Sequence, residues 1–361
     1  MTNYITMYNY LLQKGSEGIE ASKRVKQVYS RLAEDAQGND KYIFDINRAT
    51  RPIEFIERFC KHSKGEWSGK PVTLDLFQKA FIQALFGFID KETGLRKYRE
   101  AFFLVARKNG KSTLLAGITL YMLTSDGEGG AECYTAATKY AQAKLIFDEV
   151  HNMIKQSVVL SKHFKKRKND LYYSPTMSVF KPLSRNADTQ DGLNSSFVCI
   201  DELHGIKDRN TYEVLKQSQS ARRQPLFTMI TTAGTIRECI FDDMYQYACD
   251  VVDGIIEDST FLPIIYELDN REEWNNPQAW IKANPALGSI KKLDDLTTKV
   301  ERAKQSPNEL SGLLCKDFNI RETVKRHGYH LTQSTTQKHL TLQNSKGLIV
   351  SAALIYPLQR I

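Results

Sequence analysis

The sequence predicts an α/β fold: a mostly parallel sheet with helices on both faces, plus a small, mainly helical subdomain. Three observations predict it. Short β-rich runs alternate with longer amphipathic ones from Arg99 to Val252, a Gly-Lys-Ser turn joins an apolar strand to a helix, and an apolar run ends in two adjacent carboxylates. Strands that alternate with helices of this length form a parallel sheet wrapped on both sides.

The elements follow in order. Residues 1–60 are polar and charged with helical periodicity, at 22–33 and again at 53–59, and are expected to be helices covering a sheet edge. From Arg99 the pattern predicts strands at 101–106, 132–136, 178–183, 197–201 and 226–232. Helices are predicted at 111–123, 139–155, 210–220 and 238–252. Between 255 and 320 the alternation fades into a helical stretch with Trp274 and Trp280, which predicts a subdomain beside the sheet and a boundary near Asp253. The expected organisation is therefore an N-terminal helical region at 1–70, a core at 71–253, a small linker or lid subdomain at 254–320 and an atypical tail at 321–361.

Composition sets bounds. At 361 residues the chain can bury one large core or two smaller ones. Hydrophobic residues at 41% and charged residues at 25% are those of an ordinary globular protein, and no apolar run is long enough to cross a bilayer. The segment after Met1 lacks a basic, apolar and small-residue sequence of the secretory kind, so the chain is not expected to be secreted or membrane-bound. Six cysteines without metal-type spacing fit a reducing cytosol. The net charge of +8 points only weakly to nucleic acid: five of the basic side chains lie in residues 323–361, which contain no acid, leaving +3 for the rest.

The chemistry-bearing motifs start with Val105-Ala106-Arg107-Lys108-Asn109-Gly110-Lys111-Ser112-Thr113, a strand-to-helix turn of phosphate-loop type. Backbone N–H groups at a helix N-terminus face an anion, Lys111 can reach the β and γ phosphates, and the Ser112 hydroxyl suits Mg²⁺. Val105 replaces the usual first glycine, and a Gly-Lys-Ser triplet by itself also occurs in ordinary turns. Some 90 residues on, Phe197-Val198-Cys199-Ile200-Asp201-Glu202 delivers two carboxylates to the carboxyl edge of a parallel sheet, where ligands bind. Asp201 is expected to hold Mg²⁺, and Glu202 to orient or deprotonate the attacking water.

A third run, Thr231-Thr232-Ala233-Gly234, ends a strand with hydroxyls and a glycine. Gln78 carries the donor and acceptor needed to read an adenine edge, although a surface glutamine on a helix is the plainer reading. Arg107 is placed to stabilise charge on a transferred phosphoryl group; Arg222 and Arg223 could do so from a neighbouring subunit or could be simply structural. His204 either couples the nucleotide site to a DNA site or is a hydrogen-bonded, partly buried histidine.

In this order the motifs resemble the large terminase subunits of tailed phages, a DNA-packaging motor family. The resemblance spans residues 71–320, and includes Leu76-Phe77-Gln78, Tyr134 to Thr138, Gln142-Ala143-Lys144, Asp188-Thr189-Gln190-Asp191-Gly192-Leu193-Asn194, Asp201-Glu202-Leu203-His204, Ala221 to Pro225 and Asn284-Pro285-Ala286-Leu287-Gly288. It implies a phosphate-loop ATPase fold, ATP and Mg²⁺ as ligands, and translocation of double-stranded viral DNA into a procapsid. It also implies a ring of copies, a portal protein and a small terminase subunit as partners, and the host cytoplasm as location. By resemblance Lys111 and Ser112 bind nucleotide, Asp201 and Glu202 bind metal and activate water, and Thr231 to Gly234 couple hydrolysis to movement. Family members also carry a nuclease domain. Because residues 323–361 hold no acidic ligand, family-like sequence is expected to stop near Ile320, with the nuclease domain missing. A hydrolytically idle ATP- or DNA-binding fragment and a helicase-like ATPase are the alternatives.

Overall fold

The computed structural model describes residues 1–183, 192–206 and 209–322. Asp188, Thr189, Gln190 and Asp191 of the fourth motif, and the tail from Thr323, lie outside the described residues.

The chain opens with α1 (Tyr4–Gln13), α2 (Lys23–Asp35), the short strand β1 (Tyr42–Phe44) and α3 (Ile46–Phe59). Each helix starts on a polar side chain that accepts from an otherwise orphaned N–H: Asn3 from Thr6, Ser22 from Val25, and Asp45 from Asn47 and Arg48. The helix expected to begin at residue 53 begins at Ile46 and runs through Pro52. An interior proline disfavours a helix by about 3 kcal/mol. Here the buried face of Ala49, Ile53 and Ile56 offsets that cost. Next come α4 (Leu76–Gly87) and β2 (Phe88–Asp90), which pairs antiparallel with β1.

The predicted alternation then appears: β3 (Glu100–Leu104), α5 (Lys111–Thr124), β4 (Glu132–Ala136) and α6 (Tyr140–Gln156). It continues through β5 (Phe164–Lys166), β6 (Leu171–Tyr173), β7 (Ser178–Pro182), β8 (Phe197–Asp201), α7 (Arg209–Gln217), β9 (Leu226–Thr231) and α8 (Ile240–Val252). One strand falls where helix was expected: β10 (Phe261–Ile265) pairs in parallel with β3, so the sheet reaches past the boundary expected near Asp253. Its Pro263, which lacks an N–H, argues against a central strand; an edge strand tolerates it.

These strands form one sheet in the order β10-β3-β9-β8-β4-β7-β6-β5. The six from β10 to β7 are parallel, while β6 and β5 close the far side as an antiparallel hairpin. Neighbouring residues on a strand face opposite ways. Phe103 accordingly meets Phe81 of α4 at 4.4 Å on one face, and Phe102 meets Phe241 of α8 at 6.1 Å on the other. Both faces are covered, which is why β3, β8, β9 and β10 are continuous apolar runs and not alternating ones.

The helical subdomain is present as α9 (Leu293–Gln305) and α10 (Pro307–Asp317). It has its own core, in which Trp280, Leu296, Val300, Leu314 and Phe318 pack together with Ala106. Ala106 belongs to the turn after β3, so that turn is built into the second core as well as the sheet.

Candidate nucleotide site

Strand register decides where the two main motifs lie. Leu104 of β3 is opposite Thr231 of β9, and Ile230 of β9 is opposite Asp201 of β8. The strands that lead into the Gly110-Lys111 turn and the Asp201-Glu202 tip therefore end at the same edge of one sheet, with a single strand between them and their ends about 10 Å apart. The segment Thr231 to Gly234 leaves from that intervening strand. Three motifs that are far apart in sequence share one edge because parallel strands all present their carboxyl ends there.

Val105 explains the missing glycine. It is fully buried in the main core and takes no positive φ, so nothing at that position requires glycine. Gly110 does: its φ is 76°, and a Cβ there would sit 2.9 Å from both Gln78 Nε2 and Ile290 Cδ1. Lys108 also lies in the left-handed region at φ 66°, an uncommon conformation for a non-glycine residue that occurs at functional turns.

The loop is held from across the molecule. Asn109, buried, donates through Nδ2 to Ala106 O (3.0 Å), Arg107 O (3.2 Å) and Asn284 Oδ1 (3.1 Å), and its Oδ1 accepts from Ala286 N (3.0 Å). Asn284 Nδ2 donates to Trp280 O and Asp317 O, and its Oδ1 accepts from Lys291 Nζ at 2.7 Å. Lys291, almost wholly buried, pairs with Asp317 at 2.8 Å. Every polar atom of the two amides is thus used, as burial demands. In the sequence Asn284 stands out only through the family resemblance, and Lys291 and Asp317 carry no local signal at all.

Electrostatics sort the titrating groups. Lys111 donates to Val105 O (3.0 Å) and Ala106 O (3.4 Å), and it lies within Coulombic reach of Asp201 and Glu202. Burial holds its ammonium down to about 8, against the upward pull of the two acids. Burial pushes the Asp201 carboxyl up to about 6, opposed by Lys111. Glu202 moves the other way, below the usual carboxylate range, because His204 hydrogen-bonds it. A carboxylate kept ionised in this way can accept a hydrogen bond from a water and orient it.

His204 is the link between motifs. Its Nε2 lies 3.0 Å from Glu202 Oε2 and its Nδ1 lies 3.2 Å from Thr231 Oγ1. Gly234, at φ 59°, lets the backbone approach that ring: a Cβ would stand 2.3 Å from His204 Cγ and Cδ2. Ala233 N donates to Asn319 Oδ1 at 3.0 Å, so the Thr231 to Gly234 segment is tied to the small subdomain too. The buried Thr232 hydroxyl has no hydrogen-bond partner among the described residues.

The remaining candidates divide. Arg107 and Lys108 are exposed in the loop, with Arg107 close enough to Lys111 and Glu202 to influence both. Ser112 is exposed and Thr113 half-buried in the first turn of α5. Gln78 is buried beside Gly110, but its Oε1 accepts from Asp75 N at 3.0 Å, so only the Nε2 side faces the loop and the donor-acceptor pair expected to read adenine is split. Arg222 is committed elsewhere: it donates to Asn194 O, Glu128 Oε1 and Gly130 O, each at 3.0 Å. Those partners precede β4 and β8, on the opposite edge of the sheet, so Arg222 is a structural arginine, whereas Arg223 beside it is exposed. For Mg²⁺ the available donors are the Ser112 hydroxyl and the Asp201 carboxylate, hard oxygens of the type that ion takes, and only a few protein ligands are needed when phosphates and water supply the rest.

Comparison with known proteins agrees with this geometry. A family model described as "Terminase large subunit, ATPase domain" matches residues 76–250, and one described as "Terminase large subunit, endonuclease domain" matches residues 255–346. The second match runs past Ile320, so family-like sequence does not stop there as expected, and nuclease-family sequence is present in the chain. The large terminase subunit of Enterobacteria phage HK97 is 28% identical over 270 residues, 73% of this chain and 51% of that protein. The terminase large subunit of Lactococcus phage p2 is 26% identical over 338 residues, 91% of this chain and 61% of that protein. The chain thus spans between half and two thirds of the length of these relatives. The crystal structure of the HK97 bacteriophage large terminase superposes with a TM-score of 0.67 at 26% identity, covering 76% of this chain and 55% of that one. The chain belongs to the terminase large subunit family.

Proposed function

We propose that the chain hydrolyses ATP with Mg²⁺ and that this turnover drives double-stranded viral DNA toward a capsid. The observation that carries the reading is the shared sheet edge: the loop at Gly110 and Lys111 beside Asp201 and Glu202, with Thr231 to Gly234 between them. Lys111, Gly110 and the first N–H groups of α5 bind the phosphates, with Arg107, Lys108, Asn109, Ser112 and Thr113 completing the cradle. Ser112 and Asp201 hold the metal, which when bound neutralises phosphate charge. Glu202, kept ionised by His204, orients the attacking water and takes its proton, and Arg107 stabilises charge on the transferred group. Gln78 braces Gly110 from behind and offers its amide N–H to the nucleotide. Because His204 touches both Glu202 and Thr231, a change in what Glu202 holds is felt directly by the strand end that carries the coupling segment.

A ring of copies, a portal protein, a small terminase subunit and a host-cytoplasmic location are supported by the family alone. The organisation proposed is a motor core that runs through β10, to about residue 265, followed by a small subdomain that grips the phosphate loop.

Phosphate release with and without duplex DNA tests the reading. Turnover is expected to fall about 10²- to 10⁴-fold in Glu202→Gln, the range for losing a general base, and to vanish in Lys111→Ala. A parent chain that binds ATP but releases no phosphate would establish the idle-fragment alternative instead.

A further inference from the structure

The far end of the sheet carries a concentration of charge that the nucleotide site does not use. Between Lys162 and Lys168 five of seven residues are basic (Lys162, Lys165, Lys166, Arg167, Lys168) and none is acidic. These residues lead into and form β5, the outermost strand, and the turn that joins it to β6. That turn points the same way as the carboxyl ends of the parallel strands, and β5 stands four strand spacings, about 19 Å, from β8.

All five side chains are exposed. Only Arg167 has a carboxylate, Asp170 at 2.6 Å, and its guanidinium also lies over the Tyr172 ring at 4.2 Å, which fixes the turn. Lys162, Lys165, Lys166 and Lys168 have no ion-pair partner among the described residues. On α6, Lys166 and Lys155 bear on His151, which burial already holds below its ordinary value; Asp148, paired with Lys144 at 2.6 Å, opposes them.

Edge strands are commonly blunted by a lysine or two, but β5 is only three residues long and needs little protection. Four exposed lysines without ion-pair partners in seven residues make a concentrated positive field, which an extended polyanion can neutralise along its length. Protein interfaces are depleted in lysine, whereas contacts to nucleic-acid phosphates are made largely by lysine and arginine. We propose that the β5–β6 hairpin is a contact surface for the phosphate backbone of duplex DNA. This deepens the motor reading by naming where the duplex touches the chain.

The test uses the full chain and a fluorescent random-sequence duplex, with affinity measured between 50 and 200 mM salt, roughly the range over which phosphate contacts are read out. Replacing three lysines together (Lys165→Gln, Lys166→Gln, Lys168→Gln) is expected to make the slope of log affinity against log salt shallower by about 2–3, at about 0.9 for each phosphate no longer neutralised, and to weaken low-salt binding about 10-fold or more. Turnover without DNA stays at the parent level. A control with Lys23→Gln, Lys64→Gln and Lys91→Gln removes equal charge elsewhere and is expected to keep the parent slope. An unchanged slope in the hairpin variant, an equal loss in the control, or a parent that binds no duplex overturns the proposal. A parent that binds duplex through the hairpin without turning over ATP leaves the surface standing and sinks the motor reading.

Discussion

The two ends of the same sheet treat charge in opposite ways. At the phosphate loop Lys291 and Asp317 are enclosed and paired, and Asn109 and Asn284 use every donor and acceptor they have. At the β5–β6 hairpin the lysines are exposed and, among the described residues, unpaired. The difference follows from solvation. A buried polar group left without a partner costs about 1–3 kcal/mol, so enclosed charges must sit in a fixed lattice, and a fixed lattice holds one loop geometry. An exposed lysine loses nothing by being alone, so it adds field without adding order. Changes at the first end should therefore appear as lost stability and turnover, and changes at the second as altered salt dependence.

The largest effect expected is at Lys291. Lys291→Met leaves Asp317 buried with, among the described residues, only Lys299, 3.6 Å away and partly exposed, as an ion-pair partner. A broken buried pair costs about 3–5 kcal/mol, and Lys299 places this one at the lower end. Denaturant unfolding measures it, and adding Asp317→Asn should restore part of the loss; a Lys291→Met chain as stable as the parent would show that the lattice does not hold the loop. Next is Gly234→Ala, which combines a left-handed backbone, disfavoured by about 1–2 kcal/mol, with a side chain driven into the His204 ring. Turnover should drop more than ATP affinity, because Glu202 loses its orienting partner while the phosphate loop is untouched. A KM that rises with kcat unchanged would refute that division. Smallest is the triple hairpin variant, whose unfolding free energy should stay within about 0.5 kcal/mol of the parent. A clear destabilisation there would mean that the lysines are structural and that the contrast between the two ends is false.

Legibility in the sequence was uneven for physical reasons. β4 and β8 fall at the residues expected because each is an apolar run bounded by a turn or by carboxylates. β5 and β6, three residues each and rich in lysine and tyrosine, carry no such run, and Pro263 disguised β10. α3 continues upstream of Pro52, where local propensity ends it, because tertiary burial of its apolar face outweighs one missing hydrogen bond. In the candidate site, Lys111, Asp201, Glu202 and Thr231 to Gly234 stand out in the sequence because the phosphate and metal chemistry proposed for them calls for particular residue types at strand ends, and the fold brings their strands to one sheet edge. Arg222 looked like a candidate and is not, since its three carbonyl and carboxylate partners come from distant segments.

The sequence by itself determined the alternation of strands and helices, the phosphate-loop turn and the acidic strand end, all of which depend on residues within a few positions of one another. Only the tertiary structure decided which strand lies between those two motifs, that His204 joins Glu202 to Thr231, and that Asn284, Lys291 and Asp317 grip a loop some 175 residues upstream. Hydrogen bonds between segments so far apart leave no periodicity or local propensity to read; they exist because folding buries polar groups, and a buried group is costly until it finds a partner.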